Sequence, residues 1–327
     1  MNLNNPDSPL TVSVIMCTYN GSKFLHEQID SILTQTYPIY EFIIQDDCST
    51  DSTWDILQQY ASQHPFIKIF RNKTNKGFNH NFQTAISRAQ GQFIAIADQD
   101  DIWYPNKISK QIDFIGNHDI CISYYHNDKI YVENKLKKLN KPSFNLEYLT
   151  FYDSTPGHSM LLRTTFAKSC FEKWDGHIIY DWWLSINAHL YNGIVCVPES
   201  LNWHRPHQGS AIEKLTQNYA PDTTRHAAWK PYIIGYKKYK ELQQLPTWQF
   251  FYTYLYKNTG PDKFSLVHQI CGLLLKNDLF SLIRLCYLCM HHKDLIYFTP
   301  GQKGLMGHIR SFCYPMIRSY GNTYFYL

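Results

Sequence analysis

The sequence predicts an α/β fold, with a Rossmann-like, mostly parallel sheet flanked by helices. Over the first 115 residues, short β-rich runs alternate with helical stretches of the length that connects parallel strands. Polar or acidic clusters follow three of these runs, at the edge where an open parallel sheet holds its ligand crevice. Of the 327 residues, 44% are hydrophobic, which is enough to build a core.

The first two strand–helix units follow from the hydrophobic pattern. The run VSVIMC at 12–17 predicts a buried strand, and the apolar face of 22–35 predicts the helix after it. Residues 41–45 predict the second strand. Ser49 or Thr50 can cap the next helix.

Two more units complete this alternation. Residues 66–70 and 93–97 predict the third and fourth strands. Between them, apolar positions from Phe82 to Ala89 predict a helix that Gly91 closes. Pro105 is suited to open the next helix, because its missing N–H is not needed in the first turn.

The pattern is less regular in the middle of the chain. Residues 121–126 and 129–132 predict strands, and 178–190 predicts a helix. Residues 194–197 predict a further strand, which we expect Pro198 to end because proline cannot donate to a strand ladder.

A change in composition near residue 212 predicts two parts, an α/β domain at 1–212 and a mainly α-helical region at 213–327. The helical region is rich in Lys, Arg and aromatic residues, and 279–290 is nearly all apolar. Such a region suits helices that lie in a membrane interface. It equally suits a helical extension that packs on the first domain or on another protomer.

Composition and charge exclude several classes of protein. A net charge of +4 is too small to indicate a nucleic-acid partner. No uncharged apolar stretch reaches ~18 residues, so we expect no membrane-spanning helix. Nine scattered cysteines predict reduced thiols and a cytoplasmic location, with peripheral binding to the inner face of the cytoplasmic membrane as an option. The pair Cys286 and Cys289 fits helix packing or a metal site.

The acidic turn after the fourth strand is the strongest chemical motif. Asp98 and Asp100 form a D-x-D pattern, and Asp101 follows directly. Two carboxylates in one turn can hold Mg²⁺ or Mn²⁺ and leave coordination positions open for a phosphate-bearing substrate. The alternative is a solvated acidic turn that caps the next helix.

Two other motifs follow the first and second strands. Asp46 and Asp47 end the second strand, where a carboxylate can accept hydrogen bonds from a nucleobase or a ribose or can simply hold a turn. The segment 18–21 follows the first strand, and its tyrosine can stack on a base. The glycine-rich markers of dinucleotide and P-loop sites are absent from the sequence.

Taken together, these motifs resemble those of the family-2 glycosyltransferases of the GT-A fold, especially the rhamnosyltransferase-like enzymes of bacterial polysaccharide synthesis. The resemblance is carried by VSVIMCTYNGSKFLHEQIDSILTQTYPIYEFIIQDDCSTDST and by NKGFNHNFQTAISRAQGQFIAIADQDDIWYPNKI. It is dense over 11–115 and continues more thinly to about residue 210.

The resemblance implies a nucleotide-diphospho-sugar donor with UDP or dTDP, a divalent metal, and inversion at the anomeric carbon. It implies that Asp98 and Asp100 bind the metal, with Asp100 the closest ligand. It also implies a set of residues that contact the nucleotide sugar: Cys17, Tyr19, Asn20, Asp47, Lys76, Asn81, Asp98, Arg205 and His207.

An inverting displacement needs a base beside the acceptor hydroxyl. The resemblance points to Asp181, at the start of a predicted helix whose aromatic neighbours, Trp182 and Trp183, can stack on a sugar ring. The alternative is an ordinary helix cap favoured by the helix dipole. Asp175 and Asp153 are other candidates for the base.

The segment 204–210 resembles the R-x-H stretch that closes many such domains. Arg205 and His207 can steady the departing diphosphate, or a histidine, His204 or His207, can meet the metal. They can also be surface loop residues. His158 follows Pro-Gly and can line the acceptor pocket or be satisfied by its neighbours.

The sequence therefore predicts an inverting, metal-dependent glycosyltransferase that adds a sugar to a glycan or lipid-linked acceptor in surface polysaccharide synthesis. A catalytically silent sugar-nucleotide-binding or scaffold protein is the first alternative. A nucleotidyltransferase is the second, although the glycine-rich basic loop expected after its first strand is not found here. The donor sugar, the acceptor and the oligomeric state stay open.

Overall fold

The computed structural model describes residues 9–132, 135–207, 209–210, 230–297, 304–322 and 325. The described residues form two compact units. The first draws on Met1–Pro142, Thr155–Lys173 and Tyr191–Pro206, and the second on Ser143–Ser154, Trp174–Leu190 and His207–Leu327. The predicted domain boundary at residue 212 lies outside the described residues and stays a prediction.

The first unit is built on a mixed sheet that has nine strands among the described residues. The strands are β1 (Val12–Thr18), β2 (Glu41–Asp46), β3 (Ile67–Arg71), β4 (Phe93–Ala97), β5 (Ile102–Trp103), β6 (Ile120–His126), β7 (Leu139–Asn140), β8 (Leu161–Arg163) and β9 (Ile194–Trp203). Its helices are α1 (Leu25–Leu33), α2 (Thr53–Gln63), α3 (Phe78–Arg88), α4 (Lys107–Ile115) and α6 (Thr164–Phe171), with a 3₁₀ turn at Gly157–Ser159.

The sheet has the order β3-β2-β1-β4-β8-β6-β9-β5, with β7 paired to β6. Strands β1 to β4 are parallel, β8 is antiparallel to β4 and β6, β9 is parallel to β6, and β5 is antiparallel to β9. The predicted α/β fold is thus confirmed. The first four strands begin and end within one residue of their predicted bounds.

Strands β1, β2 and β4 are buried on both faces, whereas β3 at the edge of the sheet is only partly buried. Every residue of β2 and β4 is buried, which matches their nearly continuous apolar runs. Helix α1 packs its apolar stripe, Leu25, Ile29 and Ile32, into the same core. The pattern that predicted the elements is therefore the pattern that buries them.

The strand order reverses between β1 and β4. From β1 the chain runs outward through β2 to β3, and it then returns to place β4 on the other side of β1. In an open parallel sheet, the loops that leave the carboxyl ends of such a strand pair diverge and leave a crevice. Residues 18–21 and 98–101 are these two loops.

Two predictions for the middle of the chain are wrong. Residues 129–132 form no strand. Strand β9 does not end at Pro198 but continues to Trp203, because its pairing with β6 shifts register between Val197 and Ser200. The bulge accommodates proline, which has no N–H to give to the ladder.

The second unit is mainly helical, as predicted. Its helices are α5 (Leu146–Leu149), α7 (Tyr180–Leu190), α8 (Lys230–Leu242), α9 (Pro246–Asn258), α10 (Ser265–Leu274), α11 (Leu279–His291), α12 (Lys293–Ile296), α13 (Leu305–Phe312) and α14 (Tyr314–Gly321). Aromatic rings fill its core, where Phe325 contacts Trp182, Trp248 and Phe251, and Trp182 also contacts Phe251. Within the described chain, we find no helix with the length and apolarity needed to cross a membrane.

Candidate functional site

The loop after β1 is tied to the acidic turn after β4. The backbone N–H of Tyr19 donates to Oε1 of Gln99 at 3.0 Å, and Nε2 of Gln99 donates to the carbonyl of Tyr19 at 3.2 Å. Gly21 makes this approach possible, since a Cβ at that position lies 2.1 Å from Oε1 of Gln99. The ring of Tyr19 is 41% exposed, so it is available for a stacking contact.

The same loop is tied to the loop after β2. Asn20 takes a left-handed conformation with φ of 49°. Its N–H donates to Oγ of Ser49 at 2.9 Å, and its Oδ1 accepts from the N–H of Thr50 at 2.8 Å. The loops that follow β1, β2 and β4 are therefore held together by hydrogen bonds at one edge of the sheet.

The buried side chain of Asp46 stabilises this edge of the sheet. It is fully buried, accepts hydrogen bonds from Thr18 and Ser49, and pairs with Nε of Arg71 at 3.3 Å. Three hydrogen bonds, two of them from Ser49, and the ion pair hold its carboxylate, so Asp46 shapes the turn.

Asp47 holds the segment that leads into α3. Its Oδ1 accepts from Nδ2 of Asn72 at 2.7 Å and from the N–H of Lys76 at 2.9 Å, and its Oδ2 accepts from the N–H of Gly77 at 2.9 Å. Asn81 supports the same segment. Its Nδ2 donates to the carbonyl of Gln45, its Oδ1 accepts from Asn72, and its side chain is buried.

Cys17 lies between the two acidic motifs. Burial raises the pKa of its thiol well above the ordinary value, and the carboxylates of Asp98 and Asp47 raise it further. The charges of Asp98 and Asp47 thus both act on Cys17, although the three residues lie at three different strand ends. The side chain of Lys76 is exposed beside them.

Asp101 is the most enclosed member of the acidic turn. Its Oδ1 accepts from Nδ1 of His204 at 3.0 Å and from the N–H of Arg205 at 3.1 Å. Its Oδ2 lies 3.7 Å from Nδ1 of His158 and 3.5 Å from Nδ2 of Asn202. Asp101 is fully buried, and its hydrogen bonds join the acidic turn to His204 and Arg205.

The pKa values of His158 and His204 are shifted in opposite directions. The rings of His158 and His204 stack with centroids 4.6 Å apart and planes 4° apart. Asp101, Asp98 and Asp100 raise the pKa of His204 above its ordinary value against the opposing effect of burial. Burial, aided by His204 and Lys107, holds the pKa of His158 well below its ordinary value. Neutral His158 accepts from Asn202 at 2.9 Å.

Arg205 contacts the acidic turn and stabilises it. Its Nε donates to the carbonyl of Asp100 at 2.8 Å, and its Nη2 pairs with Glu27 of α1 at 2.8 Å. Its guanidinium also stacks between the rings of Phe24 and Trp203, at 4.4 and 4.6 Å from their centroids. A contact from Arg205 to a diphosphate stays a prediction.

Lys107 is a buried cation beneath this cluster. It is the first residue of α4 and is fully buried, and its Nζ hydrogen bonds to no atom of the described residues. The Nζ lies 5.1 Å from the centroid of Trp103. Burial lowers the pKa of Lys107 to about 7, while Cys121 and Asp101 act to raise it.

Asp181 and His207 belong to the second unit. Asp181 lies in the first turn of α7, where it is buried and its Oδ1 accepts from the N–H of Trp182. Asp175 accepts from the N–H groups of His177 and Ile178, as a turn residue does. The roles of Asp181 in proton transfer and of His207 at the diphosphate stay predictions.

The expectation that Trp182 and Trp183 stack on a sugar is wrong. Both side chains are fully buried. Trp182 packs on Phe251, and Trp183 packs on Tyr254 at 4.5 Å. They are core residues, because α7 is buried along nearly its whole length.

Two groups of side chains can hold a divalent cation. Asp98 and Asp100 offer only oxygen ligands, which Mg²⁺ and Mn²⁺ prefer. The ligand atoms of Asp101, His158 and His204 lie within 4.8 Å of one another. A metal on the second group has to displace the proton of His204, whose pKa is raised. The oxygen-only set of Asp98 and Asp100 suits these ions, and metal binding there stays a prediction.

Sequence reasoning missed Lys107 and the association of Asp101, His158 and His204. The three associated residues lie far apart in the chain. The pairing of β5 with the extended end of β9 brings Asp101 to His204, and the pairing of β8 with β4 brings the turn that carries His158. Lys107 gives a weak signal, since it immediately precedes the apolar stripe of α4.

Comparisons with known proteins give a consistent family. A model described as "Glycosyl transferase family 2" matches residues 13–175. TuaG of Bacillus subtilis, named for teichuronic acid biosynthesis, is 39% identical over 113 residues, which is 35% of this chain and 45% of TuaG. The chain thus spans less than half of that relative.

A longer match and a solved structure extend the comparison. WfaP of Escherichia coli, named a UDP-Glc:alpha-D-GlcNAc-diphosphoundecaprenol beta-1,3-glucosyltransferase, is 32% identical over 203 residues, which is 61% of this chain and 78% of WfaP. The structure of S. aureus TarS 1-349 in complex with UDP-GlcNAc has a TM-score of 0.56 at 16% identity, covering 95% of this chain and 89% of that chain. These likenesses confirm the predicted GT-A fold.

Proposed function

The chain belongs to glycosyl transferase family 2, and we propose that it transfers a sugar from a nucleotide-diphospho-sugar to a hydroxyl group of a glycan or lipid-linked acceptor. One observation carries the proposal. The loops 18–21 and 98–101 meet at the point where strand order reverses, joined by the hydrogen bonds between Tyr19 and Gln99. Sheets of this kind bind ligands at that point.

In this proposal the nucleoside end of the donor lies over the ends of β1 and β2. The exposed ring of Tyr19 stacks on the base, and Cys17, Asn20 and Asp47 line the pocket beside it. Asp47 has both carboxylate oxygens engaged by the segment before α3, so it presents a fixed rather than a mobile acceptor. The nucleotide we propose is UDP or dTDP.

The diphosphate of the donor needs positive charge around it. Lys76, Arg205 and His207 are the cationic or titratable side chains we propose for this role, with Asn81 holding the segment that carries Lys76. Asp98 and Asp100 would hold Mg²⁺ or Mn²⁺, which would supply positive charge against that of the departing nucleoside diphosphate. Arg205 keeps the acidic turn in place through its bond to the carbonyl of Asp100.

Asp181 is the base in the proposed reaction. It takes the proton from the acceptor hydroxyl as that oxygen attacks C1 of the donor, and the configuration at C1 is inverted. Its burial in the first turn of α7, where its Oδ1 accepts from the N–H of Trp182, gives the carboxylate a defined position and supports this role. The names of TuaG and WfaP support a place in surface polysaccharide synthesis.

Donor binding tests the proposal most directly. Calorimetry with UDP-, dTDP- and GDP-sugars, in Mn²⁺ and then in EDTA, should show metal-dependent binding of UDP- or dTDP-sugars. Asp100→Ala should abolish this binding, because it removes a metal ligand. Asp113→Ala is the matched control, since Asp113 is an exposed carboxylate on α4. No binding of any sugar nucleotide by folded protein contradicts the proposal.

Turnover tests the role of Asp181. Asp181→Asn should keep donor affinity and lower turnover by roughly 10²-fold or more, because the amide cannot take a proton. Donor hydrolysis and transfer are measured together by release of nucleoside diphosphate. Near-normal turnover moves the base to Asp175 or Asp153. A wild-type protein that binds donor without any transfer supports the silent sugar-nucleotide-binding alternative.

A further inference from the structure

Helix α11 exposes apolar side chains where a surface helix normally carries polar ones. Leu279, Phe280, Ile283 and Tyr287 are all exposed, and Phe280 is 75% exposed. The opposite side of the helix is apolar too, because its inward residues, which include Leu285, pack in the core of the second unit. A helix that is apolar on both sides needs a partner for its outer side.

Helix α13 continues the same exposed surface. Leu305, Met306 and Ile309 are exposed, and Leu305 is 77% exposed. The helix packs against α11, and the rings of Tyr287 and Phe312 meet edge to face at 5.2 Å. We call the exposed sides of these two helices the α11–α13 face. It is a contiguous patch of the kind that marks an interaction surface.

The charges of the α11–α13 face are all positive. Arg284 and Arg310 are exposed on it, and the sequences of α11 and α13 contain no Asp or Glu. Among the described residues, carboxylates lie beside the face. Asp278 caps α11 by accepting from the N–H of Ser281 at 2.8 Å, and Asp294 lies on α12. Lys276 and Lys293 flank the face as well.

This combination selects one kind of occupant. A second copy related by a twofold axis would set the same arginine-bearing patch against itself, with no carboxylate of either helix to balance it. An anionic bilayer accepts large apolar side chains into its interface and arginines among its headgroups. The 13 residues of α11 are too few to span a bilayer, so the helix fits a position in the plane of the interface.

We propose that the α11–α13 face binds the surface of an anionic phospholipid membrane, with Phe280, Ile283 and Leu305 inserted and Arg284 and Arg310 at the headgroups. The inference stands on the second unit alone. It does not require the proposed sugar transfer, although a lipid-linked acceptor makes such binding useful.

Vesicle flotation of the full chain tests the proposal. The probes are vesicles of phosphatidylcholine alone and of phosphatidylcholine mixed with phosphatidylglycerol. The wild-type protein should float with the anionic vesicles, and high salt should weaken its binding because it screens the arginines. The double variant Phe280→Glu/Ile283→Glu should lower the partition coefficient by about tenfold or more, because two inserted apolar side chains are lost.

Two further variants keep the result interpretable. Phe114→Glu alters an exposed phenylalanine of α4 in the first unit and should bind vesicles as the wild type does. Arg284→Gln/Arg310→Gln keeps the apolar side chains and should remove most of the preference for anionic vesicles. Circular dichroism of each variant checks that it is folded. Donor binding is measured separately, so a failed transferase proposal does not affect this result.

Three outcomes overturn the inference. The first is wild-type protein that stays unbound in the presence of anionic vesicles. The second is a Phe280→Glu/Ile283→Glu protein that binds them as tightly as the wild type. The third is a dimer, seen by light scattering, that this variant dissociates while vesicle binding is absent. In that case the α11–α13 face binds a second copy of the chain.

Discussion

A buried ammonium group without a hydrogen bond loses its hydration and has no hydrogen bond to offset that loss, so its charged form is destabilised. Lys107 is in this situation, with a fully buried side chain whose nearest aromatic ring is Trp103. The buried carboxylate of Asp101 opposes the resulting fall in the pKa of the lysine. Burial therefore disfavours the charged form of Lys107, and the charge of Asp101 favours it.

The lowered pKa of Lys107 predicts how the free energy of unfolding depends on pH. The pKa is lowered from 10.5 to about 7, so between these values the unfolded chain binds more protons than the folded one. Stability from this group therefore rises with pH above about 7. Relative to Lys107→Met, the free energy of unfolding of the wild type should increase by about 1.4 kcal/mol per pH unit.

Urea unfolding of both proteins in EDTA, at several values from pH 6 to about pH 9, measures this slope. The comparison with a variant is needed because His204 changes the free energy of unfolding with pH in the opposite direction. Its raised pKa gives stability that is lost as pH rises, and this effect cancels in the difference. Lys110→Met is the control on the same helix, since Lys110 is partly exposed and paired with Glu199. A flat difference for Lys107→Met refutes the assignment.

Among the elements, the loops after β1 and β4 are coupled through one close approach. Gly21 leaves room for the side chain of Gln99, and it does not have the positive φ that favours glycine. Gly21→Ala should therefore act by displacing Gln99 rather than by straining the backbone. We expect it to lower the free energy of unfolding by about 1 kcal/mol.

A double-mutant cycle separates the two explanations. In a Gln99→Ala background the added methyl group has nothing to displace, so the penalty of Gly21→Ala should largely vanish, leaving a coupling of about 1 kcal/mol. Urea unfolding of the four proteins measures it. An equal penalty in both backgrounds means that the contact between Gly21 and Gln99 is not what links these loops.

Strand β9 shows how a local irregularity serves the site. The bulge at Pro198 lets the strand continue to Asn202 and Trp203, which pair with Ile102 and Trp103 of β5. This pairing delivers the following residue, His204, to Asp101. A strand that ended at the proline would leave the acidic turn without its imidazole.

The nine cysteines report on the packing of the whole molecule. All nine thiols are free, and five are buried: Cys121, Cys170, Cys271, Cys286 and Cys289. Burial raises the pKa of Cys121 and of Cys286 to about 12, so their reactive thiolates are scarce at neutral pH. Buried thiols occur in both units, and one labelling experiment therefore examines both cores.

Alkylation of native protein by iodoacetamide, read by mass spectrometry, should modify the five buried thiols at least about tenfold more slowly than the half-buried Cys48. In urea all nine should react at similar rates. Fast native labelling of Cys286 and Cys289 contradicts the inward orientation of that side of α11, and with it the α11–α13 face.

The sequence predicted the first four strands more completely than it predicted the site. The first four strands were predictable because each buries a short apolar run, and burial follows directly from residue type. The D-x-D motif was predictable because its residues are adjacent in the chain. Trp182 and Trp183 were misread, since aromatic residues serve both cores and sugar contacts, and only their burial in the second unit distinguishes the two roles.

By itself, the sequence determined the parallel strands, their order along the chain, the acidic turn at Asp98 to Asp101 and the family to which these motifs belong. Hydrophobic periodicity and short motifs are local, so neighbouring residues are sufficient to specify them. The tertiary structure decided the rest. It joined Asp101, His158 and His204, buried Lys107 beneath them, and left the α11–α13 face uncovered. Those outcomes depend on which distant segments pack together, and a linear pattern does not specify that.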